Sequence, residues 1–163
     1  MALSFYDPLE LAIGYTIVAS FTCGRRIYIC YVLSVSRQKG DKMQYFRMYA
    51  DDNGESHLET METTYELQDY APPAPAFGIS PITNAERYVF VRFPPKWTSP
   101  LHPAPRRQLC IMLSGKFEGE TSDGTKAVLV AGDMVQMDDT TGLGHMAKVL
   151  GDAEVRMIMI HLD

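Results

Sequence analysis

Two histidines, an arginine and a glutamine carry most of the chemistry this sequence could do. His102, Arg106 and Gln108 lie in one Pro-interrupted run, LHPAPRRQLCIMLSG, and His145 ends a second run, GDMVQMDDTTGLGH. If residues 104–113 form a β-strand, successive side chains alternate between faces. Ala104, Arg106, Gln108, Cys110 and Met112 then share one face, with His102 at its mouth. The other face, Leu109, Ile111 and Leu113, is ordinary packing surface. A face that mixes imidazole, guanidinium and amide groups among apolar ones suggests a barrel whose interior is a site rather than a filled core. An inward Arg106 would clamp a carboxylate or phosphate, because its planar fork meets two oxygens at once. The alternatives are an ion pair with an interior acid, or a rim position if the prolines break the alternation. Arg92 has the same ambiguity.

The two runs resemble the two motifs of the cupin family. In the first, His102 falls at the first histidine, Ala104 at the second, Gln108 at the glutamate and Gly115 at the closing glycine. In the second, Gly132 and Asp133 open the motif, residues 138–144 replace its Pro-containing turn, and His145 closes it. The resemblance extends over residues 43–163 and takes in the stretches MQYFRMYADDNGESH and APPAPAF. It implies an all-β, cupin-type jelly-roll β-barrel, with a family-like beginning at Met43.

For the site, the resemblance implies a divalent metal (Fe, Mn, Ni or Zn) held by His102, Gln108 and His145, with Ala104 leaving the usual four-ligand set incomplete. Imidazole nitrogen suits these ions, but a glutamine carbonyl brings no negative charge, so the exchange of carboxylate for amide weakens the site. The expected function is a metal-assisted enzyme, with His145, His102 and Arg106 as its catalytic residues. It would isomerise, dehydrate, decarboxylate or oxidatively cleave a small organic molecule in the barrel interior. The alternatives are a non-catalytic small-molecule-binding barrel that has lost its metal, and metal-free acid–base chemistry by His102 or His145.

Bulk properties narrow the field. One domain suits 163 residues. A net charge of −5 and the lack of a dense Lys/Arg run argue against a nucleic-acid partner. Cys23, Cys30 and Cys110 are odd in number and lack metal-ligand spacing, so a reducing, cytoplasmic location is expected. Residues 11–35 are apolar, but Arg25 and Arg26 interrupt them and make a poor membrane span; Asp7 and Glu10 sit where a secretory signal would be basic. Residues 1–42 are therefore read as an appended segment outside the barrel, with a hairpin around residues 23–26 as the other reading. No membrane is expected as a partner.

The elements that would position the site are short β runs between turn signals: residues 44–49, 57–67, 87–93, 116–121, 126–130, 134–137, 146–150 and 155–162. The Pro-rich residues 71–78 cannot pair as a central strand and are expected on the surface or rim. An edge-pairing homodimer is expected, with the strand from Gln44 providing the cover.

Further candidates divide between chemistry and structure. Asp138 and Asp139 read foremost as turn residues that cap their own backbone, with Asp139 or Thr141 as support for His145. Met157, Met159 and His161 share a face that is either a soft pocket wall or a core stripe. His57 is a weak pocket candidate. Tyr88, Phe90 and Trp97 could stack on a planar ligand or pack the rim.

Overall fold

A computed structural model describes residues 15–23 and 26–33 as backbone, and residues 42–162 in full. The reading of the segment ahead of residue 15 lies outside the described residues. Every described element is a strand: β1 (Tyr15–Cys23), β2 (Arg26–Leu33), β3 (Lys42–Ala50), β4 (Ser56–Thr64), β5 (Glu66–Gln68), β6 (Phe77–Ile79), β7 (Arg87–Phe93), β8 (Gln108–Ser114), β9 (Lys116–Thr121), β10 (Lys126–Val130), β11 (Met134–Met137), β12 (His145–Val149) and β13 (Val155–His161). Among the described residues no helix is long and apolar enough to cross a membrane.

Two sheets face each other. One runs β1-β2-β10-β9-β12 and the other β4-β3-β11-β8-β13-β7, while β5 and β6 form a separate ribbon. The crossovers between non-consecutive strands, β3 beside β11 and β13 beside β8, are what a double-sheet jelly roll requires. Period-two alternation produces the core: Gln108, Cys110 and Met112 are buried on β8, Val155 and Met157 on β13, Ala127 and Leu129 on β10. With Phe46, Met48, Phe117, Val135 and Val149 they form one apolar cluster that draws on both sheets. Burial of each large member contributes about 1.5–3 kcal/mol. β1 and β2 form an antiparallel hairpin about residues 23–26, and β2 adds in parallel to β10 through Val32 and Leu33.

Two expectations need correction. The strand expected over residues 104–113 begins only at Gln108. Pro103 and Pro105 have no N–H to give a ladder, and the preceding residues bond elsewhere: Ala104 N–H to the Asp139 carbonyl, 3.0 Å, and His102 with His145 in a reciprocal backbone bridge of 3.0 and 2.9 Å. The strand from Gln44, expected to be available as cover for an open strand, is paired on both sides, by β4 and by β11. The outer strands of that sheet are β4 and β7.

Candidate functional site: an apolar cavity with a histidine pair at its wall

Between the sheets lies a cavity of about 320 Å³, at the small end of ordinary ligand pockets. Most of its wall is apolar and soft. Met48, Met137, Met157, Met159 and Cys110 supply sulfur; Phe93, Trp97 and Phe117 supply rings. The three aromatics pack on one another, with Phe93 4.5 Å from Trp97 and 5.0 Å from Phe117 between centroids. Cys110 Sγ lies 3.5 Å from Met137 Sδ, and burial together with the Asp139 charge pushes the Cys110 thiol up to about 12. This thiol is a packing group rather than a nucleophile.

The polar part of the wall is His102, Gln108, His145 and His161. His145 is buried, and its Nδ1 donates to Asp139 Oδ2 at 2.6 Å; Asp139 is fully buried and its other oxygen, Oδ1, has no partner. His102 Nδ1 lies 2.9 Å from the Pro100 carbonyl, which can only accept, so that nitrogen carries the proton. Both rings are thereby fixed in tautomer and left with Nε2 for whatever occupies the cavity. Their centroids are 4.8 Å apart. Gln108 faces Met137 on one side and His161 on the other, and its amide nitrogen rests 3.5 Å from the Met137 sulfur. His161 Nδ1 is buried without a partner.

The loop of residues 138–144 makes the pair possible. Gly144 has φ +74°, and a Cβ there would collide with the His102 carbonyl; one on Gly142, also at φ +74°, would collide with the Gly54 backbone. Ser56 Oγ donates to the Gly144 carbonyl at 2.5 Å and Leu143 N–H to the Gly54 carbonyl at 2.8 Å. Asp138 points the other way, into Arg47 (2.6 Å), Arg107 (3.2 Å) and Gln136. Burial alone would raise its pKa, but these hydrogen bonds outweigh burial and hold the carboxyl below its usual value.

The sequence candidates therefore sort cleanly. His102, Gln108 and His145 are brought to one cavity, Asp139 supports His145 directly, and Met157, Met159 and His161 are cavity wall. Trp97 is wall as well, while Tyr88 and Phe90 lie exposed outside. Arg106 is not interior: the alternation that pointed it inward requires a strand that starts later, and its half-exposed side chain lies 4.0 Å from Glu86. Arg92 is exposed beside Glu154. His57 lies away from the cavity, 2.8 Å from Asp123. Phe93 and Phe117 were overlooked in the sequence, although inward parity in YVFVRF and KFEGET is the signal that marks them.

The donors do not fit a tightly held divalent ion. The glutamine amide brings no charge to offset ion dehydration, and although Asp139 behind His145 is the kind of carboxylate that supports a ligating histidine, only two imidazoles and this amide face the cavity as a set. Among the described residues no three His, Cys, Asp or Glu side chains converge as a ligand set.

No family model and no curated protein matches the chain. Solved structures similar to it include a Cupin 2 conserved barrel domain protein from Salinispora arenicola (17% identity, TM-score 0.41, 62% of this chain and 76% of that one). The Drosophila melanogaster CENP-C cupin domain is similar at 18% identity and TM-score 0.40, over 61% of this chain and 74% of that one. A cupin domain from Bordetella pertussis is similar at 20% identity and TM-score 0.38, over 62% of this chain and 93% of that one. By its own topology, two packed sheets with β3 beside β11 and β13 beside β8, the chain is an all-β jelly roll.

Proposed function

We propose that this barrel binds a compact, largely apolar organic molecule with one polar group, which His102 and His145 read. The observation that carries this reading is the sulfur- and ring-lined cavity between the sheets, whose imidazoles have one nitrogen each already committed. Flexible methionines let such a wall close on more than one shape. A second reading, proton transfer at His145, is favoured by the buried Asp139 behind it, which holds the ring and stabilises the imidazolium if it forms. In that reading His145 Nε2 takes a proton from the bound molecule or returns one to it, while Asp139 holds the ring through Nδ1. A resident divalent ion is outside the proposal, because no three His, Cys, Asp or Glu side chains converge among the described residues.

Trp97 is the single tryptophan of the chain and forms part of the cavity wall, so its emission reports occupancy. A compact aromatic alcohol such as phenol is expected to change that emission saturably, and Ala147→Phe, which fills the cavity, to abolish the change. His145→Ala should weaken the alcohol by about five- to tenfold, roughly one hydrogen bond, and leave toluene unaffected. An unsaturable response, or one that survives Ala147→Phe, would sink the binding reading. A zinc-induced rise in the melting midpoint that requires His102 and His145 would restore the metal.

A further inference from the structure

The segment from Tyr65 to Phe90 is unlike the rest of the molecule: only Ile79 and Ser80 in it are even half-buried. It contains the ribbon β5-β6, which among the described residues pairs only with itself, and a two-stranded ribbon alone is marginal in water. Yet it displays large apolar side chains, Leu67 at 80%, Ile82 at 79% and Tyr70 at 63% exposure. Beside its base, on the outer face of the neighbouring sheet, Tyr88 pairs with Ile160 and Phe90 with Ile158 across β7 and β13. Tyr88 and Phe90 are 66% and 67% exposed, and these four side chains line a groove of about 450 Å³. A chain that shows both an apolar arm and an apolar groove, each uncovered by the other, has two halves of one interface.

Charge tells which halves meet. The arm, residues 65–85, contains Glu66 and Asp69 and no lysine or arginine. The rim of the groove has four arginines sharing two acids: Arg87 and Arg106 with Glu86, Arg92 and Arg156 with Glu154. A negative arm thus matches a positive rim, and two arms against each other, or two rims, would repel.

We propose that the occupant of the groove is the arm of a second copy of this chain, each protomer laying residues 65–85 across the Tyr88, Phe90, Ile158 and Ile160 face of its partner. Such an exchange is self-complementary about a two-fold axis and closes as a dimer. It uses neither the cavity nor the strand that begins at Lys42, which is paired on both sides.

Light scattering on the full chain, fractionated by size over a wide concentration range, tests this. The wild type is expected to be a dimer. Leu67→Glu with Ile82→Glu on the arm, and separately Phe90→Glu with Ile160→Glu on the face, should each raise the dissociation constant at least about tenfold. These side chains are outside the core, so far-UV circular dichroism should be unchanged. At a concentration where both variants are monomeric, mixing them restores one intact arm-on-face contact and should give heterodimer. A wild type that stays monomeric throughout, an arm variant that dimerises as well as wild type, or a mixture that stays monomeric overturns the proposal.

Discussion

Residues 138–145 and residues 65–86 are both excursions from sheet strands, and they are secured in opposite ways. The first is tied to the body along its length: Asp138 N–H to the Met48 carbonyl, Ala104 N–H to the Asp139 carbonyl, Leu143 N–H to the Gly54 carbonyl, Ser56 to Gly144, and the double bridge between His145 and His102. The second bonds to itself, through the β5-β6 pairs and Ala74 N–H to the Ala71 carbonyl, until Glu86 N–H reaches the His161 carbonyl at its base. The comparison teaches where precision is needed. A pair of imidazoles can act on a ligand only if the backbone behind them is over-determined, whereas an apolar docking arm needs surface and reach, not a fixed fit to its own body.

The largest expected effect is at Gly144. Gly144→Ala combines a left-handed backbone with a collision against the His102 carbonyl, for a destabilisation of about 2–6 kcal/mol. Gly124, at φ +85°, has nothing near its would-be Cβ, so Gly124→Ala should cost only the backbone strain, about 1–2 kcal/mol. Urea unfolding of the two variants separates fit from strain. Equal losses would mean that residues 138–145 are no more tightly fitted than an ordinary turn.

Much of this contrast could be read in the sequence, and what could not has a physical cause. Strands such as β7 and β10 followed from apolar and β-branched runs between turn signals, since strand chemistry is local. The resemblance of the two motifs put His102, Gln108 and His145 at one site, and they do share a cavity. Arg106 went wrong because parity extends only as far as the ladder does, and Pro103 and Pro105 end it before Gln108. The partnership of Asp139 with His145 was one option among several in a turn-forming run, and only the path of the loop back to His102 selects it. Exposure of Leu67 and Ile82 was out of reach too, because an apolar residue in an extended run is expected to be covered, and what covers it is a tertiary fact.

A smaller effect comes from the surface cluster that buttresses the pinned loop from outside. His57 touches Asp123 at 2.8 Å and Asp51 at 3.4 Å, which ties the turn bearing Gly54 and Ser56 to the turn after β9. The Asp123 hydrogen bond raises the His57 pKa above its ordinary 6.5. Its contribution is therefore fully present below 6.5 and is lost as pH rises through the raised folded value. On the acid side, Asp51 and Asp123 are both held below their ordinary 3.8, so their contribution is lost as pH falls through those lowered values. The melting midpoint of the wild type should decline on the alkaline side of 6.5 relative to His57→Gln. Parallel profiles for the two proteins would detach this cluster from the loop's support. The groups are solvent-facing, so the difference is modest and shrinks with salt.

The smallest effect is expected in the arm, and its smallness is the point. Leu67→Ser removes an apolar side chain that is 80% exposed and touches little of its own body, so at concentrations where the protein is a single chain the unfolding free energy should change by no more than about 0.5 kcal/mol. The same substitution in a core strand would cost several times that, because a buried side chain loses both its transfer energy and its packing. If Leu67→Ser instead costs more than about 1 kcal/mol in the monomer, the arm packs against its own barrel and its surface is not there for a partner. A near-zero cost in the monomer alongside a large cost in the dimer is the result that a docking element alone produces, since interface residues stabilise only the assembled state.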